Sequence, residues 1–234
     1  MGKLRVAINL GNPILAGKNP ATGELLGISV DLARALALRL GVGLELIEFD
    51  AAGKSVEAVR TEQADLGFFA IDPKRGEGIS FTGAYIEIEG AYLVPVDSPI
   101  VKNEEVDQAS HRVVVGAGSA YDLFLSRELK LAQIVRSPTS PSVVAMFLRQ
   151  QFEVAAGVKQ QLQADALRVT GVRLLPGRFM VIHQAMGIPN KRSPSALGLV
   201  SAFIEEMKAG GFVAELMARH HIEGAAVAPP NNRK

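Results

Sequence analysis

Apolar and polar positions alternate along this chain in blocks that predict strands and helices in regular turn. Residues 4–8 read as a buried strand, followed by a turn-rich loop through Pro13, Pro20 and Gly23. Ser29 then caps a predicted helix over 30–40, on which Leu32, Leu36 and Leu40 recur at i+4 spacing. Gly41 and Gly43 stop that helix, and 44–49, 54–61 and 66–70 read as strand, short helix and strand. The second half repeats the order: strand 112–115, helix 119–129, strand 132–135, helix 141–150 capped by Ser140, strand 152–156. Between the halves, 91–96 reads as a long strand and 179–188 as its return partner, ahead of helices over 193–209 and 211–219.

This grammar implies an α/β protein with two lobes of mixed, mainly parallel sheet flanked by helices, with ligands bound outside the carboxyl ends of the strands. A chain of 234 residues has room for two such lobes. Lobe 1 is expected to comprise residues 1–91 and 187–224, and lobe 2 residues 92–186, with two crossover strands as the hinge. Residues 225–234, which include Pro229, Pro230 and paired asparagines, are expected to be disordered.

Composition narrows the function. Lys and Arg number 25 against 24 Asp and Glu, so the net charge of +1 leaves no basic excess for a phosphate backbone, and nucleic acid is not an expected partner. The absence of cysteine excludes disulfides, thiolate metal sites and cysteine nucleophiles, and leaves the redox compartment open. No apolar run reaches the length of a membrane span, and the chain enters its first strand directly after Met1-Gly2-Lys3. Either a cytoplasmic protein or one trimmed of its leader is expected, and the Met1-Gly2 start favours trimming.

Candidate chemistry centres on Asp72-Pro73-Lys74-Arg75, where an apolar strand ends in a turn carrying one arginine. A guanidinium held at a strand end can grip a carboxylate through two parallel hydrogen bonds. Residues 9–12, 68–75 and 116–121 follow three strand ends expected to converge on a cleft. The last segment opens a helix, so the backbone at Ser119 and Ala120 is expected to hold the same carboxylate opposite Arg75. Gly116-Ala117-Gly118 begins like a dinucleotide fingerprint but lacks its third glycine. Phe68, Phe69, Tyr85 and Tyr121 could wall the pocket, although strand alternation lets only one of Phe68 and Phe69 face it. His111, His183, His220 and His221 show no metal spacing; His183, beside Gln184, could face ligand, and His220 and His221 decorate a helix end. Glu77, Glu87 and Glu89 read as solvated, and no catalytic triad order is visible. No cofactor or metal is expected.

With these residues in register, the chain resembles the extracytoplasmic solute-binding proteins of the amino-acid ABC transporter type, family 3, which have the periplasmic type II binding fold. Residues 26–33, Leu-Gly-Ile-Ser-Val-Asp-Leu-Ala, stand at that family's G-[FI]-x-V-D-L-A segment. Ala64-Asp65-Leu66 stands at its V-D-L, Asp72-Pro73-Lys74-Arg75 at its T-P-E-R, and residues 80–85 at its D-F-S-x-P-Y. The resemblance implies that Arg75 binds a ligand's α-carboxylate, helped by Gly118, Ser119 and Ala120. It implies hinge bending about the crossover strands, a permease as membrane partner, a periplasmic or extracytoplasmic location, a monomer and no enzymatic activity.

Several positions depart from the family pattern. Ala70 replaces a hydroxyl five residues before the arginine, and Asn12 replaces an aromatic lid. The acidic residue that pairs with an α-ammonium becomes Val158, or Lys159 with a shift of one. Neither can neutralise a cation, and a buried unpaired ammonium is costly. The expected ligand is therefore a small organic acid, or an amide-bearing acid read by Asn9, Asn12, Gln160 or Gln184. Alternative readings on the same scaffold are an enzyme resembling the cyclohexadienyl dehydratases and a receptor input domain.

Overall fold

The computed structural model describes residues 2–231. It begins with β1 (Lys3–Asn9), the short strands β2 (Gly17–Lys18) and β3 (Leu25–Leu26), α1 (Ile28–Leu40), β4 (Gly43–Phe49) and α2 (Ala52–Arg60). β5 (Leu66–Ala70), the one-turn helix α3 (Pro73–Gly76) and the long strand β6 (Ile79–Pro95) follow. The middle of the chain holds β7 (Arg112–Gly116), α4 (Ala120–Glu128), β8 (Gln133–Ser137), α5 (Val143–Arg149), β9 (Val154–Val158), α6 (Lys159–Ala166) and β10 (Val172–Leu174). β11 (Met180–Pro189), α7 (Pro194–Ala209), α8 (Phe212–Arg219) and β12 (Ala226–Val227) close it.

Two compact units result: Met1–Glu87 with His183–Lys234, and Ile88–Ile182. The chain crosses after residues 87 and 182, where the sequence suggested 91 and 186. In unit 1, β1 runs parallel to β4 and β5, and β11 runs antiparallel to β5. In unit 2, β7 runs parallel to β8 and β9, and β6 runs antiparallel to β9 and β10.

Each unit has its own apolar core. In unit 1, Ala7, Val59, Ala64, Phe69 and Ile79 pack together, with Ile47, Phe49, Val56 and Phe81 around them. Two glycines shape this core, because Gly187 of β11 lies opposite Gly67 of β5. A Cβ on Gly67 would lie 2.3 Å from Phe69 Cζ, and one on Gly187 2.6 Å from Ile79 and 2.9 Å from Phe69. The phenyl ring therefore fills the slot that two missing side chains leave in the sheet surface. In unit 2, Leu93, Val114, Val143, Val144, Phe147, Phe152 and Leu162 form the corresponding core.

The structure corrects several expectations. Ser29 does not cap α1: Gly27 is the N-cap at φ 118°, and a Cβ there would meet the Leu15 carbonyl oxygen at 2.5 Å. Ser29 instead sits buried in the first turn, with its Oγ 3.4 Å from the Tyr85 hydroxyl. β6 begins at Ile79, far earlier than 91, because sheet pairing overrides the interruptions at Gly83, Glu87, Glu89 and Gly90. The tail was expected to lack order, yet Ala226 and Val227 pair with Glu87 and Ile86 of β6. Lys208 fastens it further, donating to the carbonyls of Ala84 at 3.0 Å and Pro229 at 2.9 Å. Residues 232–234, part of the same expectation, lie outside the described residues.

Candidate functional site

In unit 1 the candidate residues gather at the carboxyl edge of two adjacent parallel strands, β1 and β5. Asn9 and Asn12 follow β1, Ala70 ends β5, Gln184 of β11 lies opposite Ala70, and Arg75 lies on α3 just beyond. Asp72 builds the turn that delivers Arg75. As N-cap of α3 it accepts from the Lys74 N–H at 2.9 Å, and Pro73 preorganises the first helical position. Arg75 is only 6% exposed, and its Nη1 donates to the Ala70 carbonyl at 3.1 Å, which aims the guanidinium back across the strand end. Burial lowers its pKa to about 10, opposed by the negative charge of Asp72, so the group stays cationic at neutral pH. A buried guanidinium beside a buried carboxylate is a preorganised point of positive charge in a low-dielectric setting.

The other unit 1 candidates divide. Asn12 Oδ1 is buried without a hydrogen-bond partner, which suits a group that awaits a ligand donor. Asn9 differs: its Oδ1 accepts the Gly11 N–H at 2.9 Å, closing its own turn. Gln184 is buried at the same edge. Phe68 lies edge-on to Tyr85 at 5.9 Å and is itself buried, so it serves chiefly as packing. His183 is half-exposed and its Nδ1 sits 3.2 Å from Glu87 Oε1, so both have a partner that spacing alone did not suggest. His220 caps α8 and meets Asp31 at 2.7 Å.

In unit 2 the carboxyl edge of β7 and β9 carries the starts of α4 and α6. Ser119 caps α4, its Oγ accepting the Asp122 N–H at 3.0 Å, while the Asp122 carboxylate accepts the Gly118 N–H at 2.8 Å. The Ser119 N–H bonds the Gly116 carbonyl at 3.0 Å. Thus the N–H groups of Gly118 and Ser119, expected at a ligand, are engaged within the turn. Helix geometry leaves those of Ala120 and Tyr121 without an acceptor inside α4. Burial pushes the Tyr121 phenol up, opposed by hydrogen bonds with Ser140 and Ser119 and with the Gly116 backbone. Arg136 balances the buried Asp122 at 3.0 Å.

Val158 is the N-cap of α6 and lies opposite Gly90 of β6, with Lys159 and Gln160 opening the helix. Sequence reasoning missed what surrounds them. Lys159 Nζ donates to Glu89 Oε2 at 2.7 Å, and Arg178 Nη1 to Glu89 Oε1 at 2.7 Å. These hydrogen bonds, Lys159 first, hold the Glu89 carboxyl below the usual carboxylate range. Glu89 and Lys159 stand 70 positions apart, so no local spacing could have paired them.

Among the described residues no group of three or more His, Asp or Glu could hold a metal ion, and no helix is long and apolar enough to cross a membrane. Residues 4–223 match the family model of the bacterial extracellular solute-binding proteins, family 3. The chain belongs to that family. Its fold is that of the type II periplasmic binding proteins. A structure from Wolinella succinogenes DSM 1740, described as the binding component of an ABC transporter complexed with lysine, is 21% identical with a TM-score of 0.81, over 95% of this chain and 97% of that one. A solute receptor for L-cysteine from Neisseria gonorrhoeae is 19% identical with a TM-score of 0.81, over 94% and 90%. The ancestral amino-acid-binding protein AncCDT-1, a precursor of cyclohexadienyl dehydratase, is 22% identical with a TM-score of 0.78, over 93% and 95%. No curated protein sequence matches. For a family 3 protein, the strand-end residues above are where solute recognition is to be sought.

Proposed function

We propose that this family 3 protein captures a small carboxylate-bearing solute and passes it to the permease of an ABC transporter. Arg75 anchors the carboxylate in this reading, with Ala70, Asn12 and Gln184 at the same strand edge of unit 1. One observation carries it: a buried, charged guanidinium placed by a capped turn at the carboxyl edge of unit 1. Val158 and Lys159 argue against an ordinary α-amino acid, because neither offers a negative partner for its ammonium. The same two residues lack the carboxylic acid with which a dehydratase-like reaction would expel a leaving group, so binding is preferred to catalysis. An extracytoplasmic location and action as a monomer complete the proposal, in keeping with the family.

A thermal-shift panel of organic acids and amino acids tests it. A ligand at a hundredfold excess over its Kd stabilises the folded protein by about 2.7 kcal/mol, a readily measured shift in Tm. Acids should shift the melt, and Arg75→Ala should abolish the shift. A panel in which no carboxylate moves Tm rejects the proposal.

A further inference from the structure

We infer that Asn12 sets the solute's specificity: besides the carboxylate that Arg75 holds, the preferred acid carries a neutral hydrogen-bond donor, a hydroxyl or an amide N–H. This rests on the reading that Arg75 is the carboxylate anchor, and both residues lie in unit 1. The deciding observation is the Asn12 side chain, whose Oδ1 is buried with no hydrogen-bond partner among the described residues. Burying an acceptor in that state is costly, so one left unpaired at a strand-end edge marks a place for a donor.

The turn around Asn12 is tied down, so the unpaired oxygen is not the product of a loose loop. The Leu10 N–H donates to the Phe49 carbonyl at 2.7 Å, and the Asn12 carbonyl accepts the N–H groups of Leu15 at 3.0 Å and Ala16 at 3.2 Å. Leu15 and Ala16 are themselves buried. A Cβ on Gly11 would lie 2.9 Å from the Asp50 carbonyl oxygen, so glycine lets the turn pass close to the end of β4. On the neighbouring strand, the Ile71 N–H bonds the His183 carbonyl at 2.8 Å, which carries the pairing of β5 with β11 one step beyond Ala70 toward the Asp72 turn. Asn12 and Arg75 thus follow adjacent parallel strands as fixed parts of one edge.

The chemistry of that edge decides which donor is accepted. A carboxylate offers only acceptors, so the group that Arg75 binds cannot satisfy Asn12 Oδ1, and a second group of the solute is needed. An ammonium would need a negative partner, and the acids of the two flanking turns are committed. Asp72 accepts the Lys74 N–H and offsets the Arg75 charge, and Asp50 meets Lys54 at 2.7 Å. A hydroxyl or an amide gives up far less hydration than an ammonium and is satisfied by one neutral acceptor. Ala70 brings no polar side-chain atom to the same edge, so the Asn12 oxygen is not matched from that side.

Calorimetry on the purified protein tests the inference with lactate, β-hydroxybutyrate and succinamate against propionate, butyrate and alanine. At least one hydroxy or amide acid should bind about tenfold or more tighter than the plain acids, the gain typical of satisfying one buried polar group. Whether the hydroxy acids or succinamate gain more tells a hydroxyl donor from an amide one. Asn12→Leu should erase the preference while leaving propionate and butyrate unchanged. Asn12→Asp, which supplies a negative partner, should raise alanine relative to lactate, a direction that general damage would not produce. Equal losses for lactate and propionate in Asn12→Leu, or alanine binding the wild-type protein as tightly as any donor-bearing acid, would overturn the role of Asn12. The wild-type panel decides the point even where a variant fails to fold: plain acids that bind through Arg75 as tightly as the donor-bearing ones sink the Asn12 inference alone. Failure of every acid to bind, or binding indifferent to Arg75→Ala, rejects the Arg75 reading itself.

Discussion

The two units carry the same clasp at one edge of their sheets and different chemistry at the other. In unit 1, Arg5 at the start of β1 bonds Asp65 just before β5, through its backbone N–H at 3.0 Å, Nε at 3.1 Å and Nη2 at 2.8 Å. In unit 2, Arg112 at the start of β7 bonds Glu153 just before β9 with the same three donors, at 2.8, 2.9 and 2.6 Å. Both arginines also reach a backbone carbonyl two residues before the acid, Gln63 and Gln151. At the carboxyl edges the likeness ends: unit 1 presents buried Arg75, and unit 2 presents Lys159 and Arg178 around Glu89. Parts that close a parallel sheet can recur unchanged while the residues at its carboxyl edge diverge.

The largest expected effect falls on the divergent edge. Arg75→Ala should weaken carboxylate binding by about 2–4 kcal/mol, since a charge-assisted bidentate contact is lost and the ligand's anion stays partly desolvated. Calorimetry with the best-binding acid measures it. An affinity within a factor of two of wild type would mean that the anchor lies elsewhere.

A smaller effect separates the two cores. Where β5 of unit 1 has Gly67 and Phe69 two residues apart, β9 of unit 2 has Ala155 and Gly157, so β9 sets no ring over a glycine. Gly67→Ala pushes a methyl group into the Phe69 ring and should destabilise the fold by about 1–3 kcal/mol, the usual penalty of overpacking. Phe69→Leu in the same chain should recover part of it, because neighbouring substitutions are not additive. Urea melts of the single and double variants decide the matter, and strict additivity would show that the slot relaxes elsewhere.

Much of this architecture is written in local pattern. The strands after residues 4, 44, 66 and 112 emerge from apolar runs, and Arg75 emerges from the turn chemistry of Asp72-Pro73. What escapes is tertiary. α6 buries only Leu162 and shows no apolar stripe, so nothing in 159–166 announces a helix. The N–H of Gly118 looks available until Asp122, four residues on, is seen to bond it. Glu89 looks solvated until β6 and α6 bring it to Lys159. The order of the tail depends on Lys208, whose side chain is only 5% exposed, reaching two carbonyls remote in sequence.

The shared clasp predicts a matched and modest contribution in each unit. Arg5 is 37% exposed and Arg112 39%, so solvent screens both pairs. Double-mutant cycles should therefore give small couplings of similar size in the two units. A coupling in one unit several times that in the other would break the likeness.

Acid titration probes the same clasp through its carboxylates. Hydrogen bonds from Arg112 lower the Glu153 pKa from its ordinary 4.5. Burial raises that of Asp65, but the hydrogen bonds from Arg5 outweigh it and leave the group below its ordinary 3.8. Because both folded-state values lie under the unfolded ones, the stabilisation is complete above the unfolded pKa and disappears as pH falls through the folded one. Stability measured by urea melts should hold from neutral pH down to about 5 and then decline. Glu153→Gln should flatten part of that decline, and Asp65→Asn another part at slightly lower pH. An unchanged acid slope in both variants would show that other carboxylates govern the transition and that the clasps close the sheets without tuning their pH response.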